Sequence, residues 1–255
     1  INQLAFSYAN QSSKVTIDLE LNFERTYTLR IGDGAIGQNG ERLKAPLVLS
    51  FSTMEDGTIY ALPPCTTGDE GCLESVALTG EGTADLSFYA SYPIYEPLAE
   101  WRELKSAMIV VHGASRNPSD YFNYAMNSLQ ALNLEQEVAL IAPAFRVASE
   151  ATSGEVHWSN NDWREGQNST DGSQISSFGV IDALIEQLAD RTRFPVLEEV
   201  IIVGQSSGAL FTHLYAAANQ VEEAYPELEF YYLVSESQYF YYPTGQRVDE
   251  NTGAL

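Results

Sequence analysis

The chain has 255 residues, 44% of them hydrophobic and 19% charged, which suits a globular protein with a substantial core and excludes a disordered one. Asp and Glu outnumber Lys and Arg 35 to 13, and a net charge of −22 repels phosphate backbones, which argues against nucleic acid as a partner. No apolar run reaches the ~18 residues that a membrane-spanning helix needs. The acidity is that of a solvated surface, or else of a protein adapted to salt or holding weak calcium sites. Ile1 stands where a Met would, as in a processed product or a piece of a longer protein, and no signal peptide is visible.

The first 55 residues read as β. Lys14 to Leu19 and Thr26 to Ile31 alternate apolar and polar, and Pro46 to Thr53 is rich in strand formers. Gly32-Asp33-Gly34 and Gln38-Asn39-Gly40 punctuate them as turns. Residues 56 to 85 read as a connection carrying Pro63, Pro64 and two cysteines, Cys65 and Cys72. Two thiols on one short loop suit a local disulfide, hence an oxidising compartment, with a free thiol pair as the alternative. A zinc site would want four ligands, and no His or further Cys lies nearby. No metal is expected, and no cofactor.

From residue 86 the pattern changes. Leu86 to Tyr92 reads as a strand, and Ala107 to Val111 as a strand apolar on both faces. A helix is expected from Ser119 to Leu132, with Phe122, Met126 and Leu129 on one side, then a strand from Val138 to Ala142. A polar, Trp-bearing loop follows from Pro143 to Gln174. A second helix runs from Ser176 to Asp190, with Phe178, Ile181, Ile185 and Leu188 at helical spacing. Glu199 to Val203 is a strand, Ala209 to Asn219 a helix and Glu229 to Val234 a last strand. Strands alternating with helices predict an α/β fold around a parallel sheet.

Between the strand at 199–203 and the helix at 209 stands Gly204-Gln205-Ser206-Ser207-Gly208, a Gly-x-Ser-x-Gly turn in the strand-to-helix context that lifts a serine hydroxyl to a sheet edge. Ser206 is therefore the candidate nucleophile, and the N–H of Ser207 a candidate oxyanion donor. His112-Gly113-Ala114 follows the strand at 107–111. A loop in that place supplies the second donor, so Gly113 or Ala114 takes that role and His112 orients the loop. The segments Val110 to Phe122, with His112-Gly113 and Arg116-Asn117, Ile141 to Phe145, Trp158 with Trp163-Arg164-Glu165-Gly166, and Val203 to Gly208 with Tyr215-Ala216, together resemble a poorly characterised group of secreted α/β-hydrolases. The resemblance spans about residues 86 to 245. It implies an α/β-hydrolase sheet and a serine esterase activity on a small-molecule or polymeric ester. Gln205 departs from the group's usual His before the nucleophile, and Ser235-Glu236-Ser237-Gln238-Tyr239 from its Asn-Pro-Ser-Ser-Tyr.

Residues 26 to 31, the turn at 32–34, Asn39-Gly40 and Leu49 to Thr53 are similar to the later half of a bacterial Ig-like domain of the S-layer type. That resemblance implies a β-sandwich segment over 1–55, cut within the domain, and a surface or filament setting.

The triad partners are the difficulty. Only three histidines exist, His112, His157 and His213, and 49 residues follow Ser206. His213 lies ~10 Å down the expected helix from the serine, out of reach. His157 sits in the Trp-bearing loop, where it joins Trp158 and Trp163 as a candidate substrate contact; Tyr231, Tyr232, Tyr239, Tyr241 and Tyr242 either line the same cleft or fill the core. Glu236, after the last strand, is a candidate acid. Two readings follow: a piece of an extracellular hydrolase whose acid and His lie past residue 255, or an inactive hydrolase-shaped surface or filament component. A sheet that lost its last strands would expose an apolar edge, which favours the first.

Overall fold

A computed structural model describes residues 6–8, 15–17, 26–31, 47–52, 62–237 and 252. The chain divides into two compact units, Ile1–Ile59 and Tyr60–Leu255. In the first, β1 (Phe6–Tyr8) pairs antiparallel with β2 (Val15–Ile17), and β3 (Thr26–Ile31) with β4 (Leu47–Ser52). The β3–β4 pair is fastened across its face by Tyr27 stacked on Phe51 at 5.8 Å, and by hydroxyl bonds Thr26–Ser52 and Thr28–Ser50. The turns expected at 32–34 and 38–40 lie outside the described residues, as do Tyr239, Tyr241 and Tyr242.

The second unit is an α/β structure. Its strands are β5 (Leu73–Thr79), β6 (Thr83–Ala90), β7 (Ser106–Val111), β8 (Val138–Pro143), β9 (Glu199–Gln205) and β10 (Glu229–Ser235). They form one six-stranded sheet in the order β10-β9-β7-β8-β6-β5. The run from β8 to β10 is parallel, while β6 lies antiparallel to β8 and β5 to β6. Burial follows place in the sheet. Every residue of β8 is buried, whereas the edge strands β5 and β10 alternate exposed and covered. The expected linker over 56–85 is thus corrected in part, because residues 73–79 are an edge strand. Glu74, Ser75 and Thr79 interrupt its apolar residues on both sides, so the run lacks the continuous apolar signal that marks β7 and β8.

Four helices, α1 (Pro118–Leu132), α2 (Ser177–Leu188), α3 (Ser207–Ala218) and the single turn α4 (Val221–Ala224), connect the strands. α1 begins with Pro at its first position and ends on Asn133 in the left-handed conformation, φ 57°. It lays Phe122, Met126 and Leu129 on Val110, Val138, Leu140 and Ala142, with Cys72 in the same cluster. α2 is capped by Ser176, whose hydroxyl accepts from the N–H groups of Phe178 and Gly179. α3 packs on β9 and β10, where Tyr215 meets Tyr232 at 6.4 Å. Tyr232 and Leu233 point to opposite sides of β10, so α3 covers one face and α1's side is the other. On α1's side the row Val110, Val203, Leu233 runs across three strands and opens into an apolar groove of about 740 Å³.

Cys65 and Cys72 are joined as a disulfide, as the sequence suggested. It ties the segment before β5 to the α1 core, since Cys72 is buried there.

Candidate active site

β7 and β9 are neighbours in the sheet, with Val111 level with Gly204. The chain leaves β7 for β8 on one side, and β9 sits on the other. The loops after β7 and β9 therefore open a crevice at the carboxyl ends of the strands, the place where α/β sheets bind ligands. Both segments singled out from sequence emerge there.

β9 ends at Gln205, and α3 starts at Ser207. Ser206, alone between them, has φ 59° and ψ −118°. A side-chain-bearing residue adopts that backbone only where its surroundings over-determine it. Here the Ser206 N–H donates to the Ser235 carbonyl (3.1 Å), and its own carbonyl accepts from Ala209 and Leu210. The flanking glycines make the turn possible. A Cβ on Gly204 would come within 2.0 Å of the Gly208 carbonyl oxygen, and one on Gly208 within 2.2 Å of that of Val111. The helix thus sits directly on the strands, and its first N–H groups, Ser207's included, have no partner within the helix.

The loop after β7 lies against this turn. A Cβ built on Gly113 would be 3.7 Å from the Ser206 Cβ and 2.7 Å from the Tyr121 hydroxyl. His112 is fully buried. Its Nε2 accepts from the Phe145 N–H at 3.0 Å, so the ring proton sits on Nδ1, which donates to the Gly113 carbonyl at 2.9 Å. Burial pushes its pKa down to about 4, against a smaller opposing effect of the Gly113 hydrogen bond. With both nitrogens spent on backbone groups, His112 is an orienting residue and has no free nitrogen to act as a base.

That pair of bonds distinguishes the two oxyanion candidates. The Gly113 carbonyl accepts from His112 Nδ1 and from the Arg116 N–H (3.1 Å). In a trans peptide the carbonyl and the following N–H point in opposite directions. The Ala114 N–H is therefore turned away from both partners, and it has no acceptor among the described residues. The backbone of Gly113, by contrast, faces the Tyr121 hydroxyl. Arg116, at φ 51°, braces the loop further: its guanidinium donates to Glu150 (2.9 Å), to Asn160 Oδ1 (2.7 Å) and to the Ala114 carbonyl (3.2 Å). The Arg116 bond holds the Glu150 carboxyl below the usual range.

Glu236, the candidate acid, follows β10 at φ 56° and is exposed. Its Oε2 accepts from Gln205 Nε2 at 2.5 Å, and Gln205 Oε1 accepts from the Tyr121 hydroxyl at 2.7 Å. Tyr121, Gln205 and Glu236 thus form a chain of hydrogen bonds beside Ser206. Neither Tyr121 nor Gln205 was singled out as a site residue from sequence. The signal available was the Gln205 departure itself.

The Trp-bearing loop differs from expectation. Trp158 and Trp163, expected as substrate contacts, are each 1% exposed. Trp158 Nε1 donates to the Ile175 carbonyl, and the ring packs on Phe145 at 5.3 Å. Trp163 stacks on Phe145 at 5.4 Å and lies 4.7 Å from His112. Both are core residues that support the His112 loop, because Phe145, Phe178 and Phe211 offer them an apolar shell that solvent does not. His157 bonds Thr170 through Nδ1 and lines a polar hollow with Thr83, Glu155 and Asp171, a set that does not include Ser206. His213 lies on α3, seven residues past Ser206. Among the described residues no cluster of His, Cys, Asp and Glu is arranged to hold a metal ion.

No protein-family model matches the chain, and no curated protein is similar to it in sequence. Solved structures with a similar fold include a poly(3-hydroxybutyrate) depolymerase from Bordetella parapertussis, at 16% identity and a TM-score of 0.39, over 58% of this chain and 47% of that one. A poly(aspartic acid) hydrolase from Sphingomonas sp. KT-1 is 20% identical with a TM-score of 0.35, over 55% and 49% of the two chains. An α/β hydrolase from Novosphingobium aromaticivorans is 20% identical with a TM-score of 0.34, over 58% and 40%. The chain spans about half the length of these proteins or less. On its own sheet order and its strand–serine–helix turn, the second unit has an α/β-hydrolase fold.

Proposed function

We propose that this chain carries the nucleophile and oxyanion hole of an extracellular serine hydrolase that cleaves carboxylic esters. The observation that supports it most is the strained Ser206 backbone at the head of α3, together with two amides, Ala114 N–H and Ser207 N–H, that have no backbone acceptor among the described residues. Ser206 Oγ bonds to the ester carbon while a base takes its proton. The carbonyl oxygen becomes an anion held by the two amides. The C–O bond to the alcohol then breaks, and the base returns the proton to the leaving oxygen. Water attacks the acyl-serine in the same way, releasing the carboxylic acid and restoring the serine hydroxyl.

The base on this reading is a histidine following residue 255, because His112 is spent on backbone groups and His157 and His213 stand away from the serine. Glu236 is the nearest candidate for its orienting acid. β10 has no strand partner on its outer side among the described residues, which supports a sheet that continues past that strand. The Cys65–Cys72 bond supports an oxidising, extracellular setting. The first unit, as part of an Ig-like domain, would serve as spacer or surface attachment.

A fluorophosphonate probe applied to the full-length protein should add one adduct on the peptide containing Ser206, and Ser206→Ala should abolish it. Folded protein that takes no label would leave the inactive binding module as the surviving reading.

A further inference from the structure

Among the described cations of the second unit, Arg164 stands apart. Arg102, Lys105, Arg116, Arg146 and Arg193 each pair with a carboxylate. Arg191 is spent on the carbonyls of Leu197 and Glu227. Arg164 donates Nε to the Asn161 carbonyl (3.3 Å) and one Nη1 hydrogen to Ser207 Oγ (3.2 Å). It has no ion pair with any carboxylate among the described residues. In a chain with 35 acidic and 13 basic residues, carboxylates are the commonest partners on offer.

The guanidinium is bonded to the side chain of the residue that follows the candidate nucleophile. Ser207 directly follows Ser206, and its N–H is one of the two amides of the oxyanion hole. Arg164 lies on a single 3-10 turn, Asp162–Glu165. On one side that turn is anchored by buried Trp163, which stacks on Phe145 and meets His112 at a tilt. On the other it closes on Gly166 at φ 76°, where a Cβ would meet the Phe178 ring at 2.6 Å. The turn is fixed at both ends, so the position of Arg164 is fixed as well.

A guanidinium has five N–H donors in a planar fork. With Nε and one Nη1 hydrogen engaged, the other Nη1 hydrogen and both Nη2 hydrogens have no acceptor among the described residues, and neighbouring guanidinium N–H groups are the donors that a carboxylate accepts with two oxygens. The oxyanion itself already has two amides. We propose that Arg164 is a specificity residue that reads a second, free carboxylate carried by the ester that Ser206 attacks. The substrate class is then an anionic half-ester and not a neutral ester. The net charge of −22 disfavours anions at long range, so Arg164 supplies the local exception. The inference rests on Ser206 as the reacting atom, and its test is chosen to need no turnover.

Monomethyl glutarate and its neutral counterpart, dimethyl glutarate, are titrated into full-length Ser206→Ala protein and followed by NMR. The half-ester should bind more tightly than the diester. Arg164→Gln should weaken the half-ester at least tenfold and leave the diester within twofold, with Arg164→Lys falling between them. Unchanged melting temperatures and amide spectra exclude misfolding, and Arg164→Lys keeps the test valid if the Gln variant does not fold. Half-ester binding that is absent, or that survives loss of the arginine, overturns the proposal. Arg164-dependent binding in a protein that fluorophosphonate does not label would instead overturn the nucleophile reading alone.

Discussion

Gly208 shows how a single atom decides the site. A methyl there would be driven to within 2.2 Å of the Val111 carbonyl oxygen, a backbone atom that cannot swing aside. Gly208→Ala should therefore cost about 3 kcal/mol or more in urea unfolding, at the upper end of overpacking penalties, because β7 and α3 must part. His112 makes a second prediction at this scale. Its folded pKa is depressed to about 4 from the ordinary 6.5, so above pH 6.5 it is neutral in both states and its contribution to stability is complete. As pH falls from 6.5 to 4 the unfolded chain takes up a proton that the folded one refuses. Stability should drop by about 3 kcal/mol across that window on this account alone. Ring nitrogen shifts should report a proton on Nδ1 and no titration between pH 8 and 5; a His112 that titrates near 6.5 would sink the assignment.

At the scale of elements, the disulfide and the loops behave differently from the strands. The bond closes a loop with a sequence separation of 7, for which chain entropy gives about 2.5 kcal/mol. Reduction, or Cys65→Ser with Cys72→Ser, should lower unfolding free energy by roughly that amount, and the loss should register first in hydrogen exchange of β5 and the start of α1. The apolar runs of β7, β8 and β9 and the i, i+3, i+4 spacing of α1 and α2 were legible in the sequence, because burial on both faces of a strand or one side of a helix leaves a periodic mark. β5 was not legible. Polar residues break its apolar run on both sides, so it shows neither a continuous apolar stretch nor a clean alternation, and its pairing with β6 reveals it. The Trp-bearing loop misled in the opposite sense: exposed aromatics and buried aromatics look alike in a sequence, and Trp158 and Trp163 are inside.

The whole molecule carries a charge of −22. Ion pairs among the described residues include Arg102–Glu100, Lys105–Glu137, Arg116–Glu150, Arg146–Glu155 and Arg193–Asp190, against an excess of 22 acids over bases in the sequence. Like charges repel more in the compact state than in the expanded one. Raising NaCl from about 10 mM to about 0.5 M shortens the screening length from ~30 Å to below ~8 Å, and should raise the melting temperature by several degrees. A melting temperature that falls with salt would mean that these ion pairs outweigh the general repulsion. The sequence by itself determined the α/β class, the serine turn and the loop that faces it, because Gly, Pro and apolar periodicity act over a few residues. The tertiary structure alone decided which amide of the His112 loop is left without a backbone acceptor, what His112 is bonded to, where the tryptophans lie and, among the described residues, which arginine has no carboxylate. Those depend on groups far apart in the chain, such as His112 and Phe145 or Arg164 and Ser207, and no local pattern encodes which of them meet.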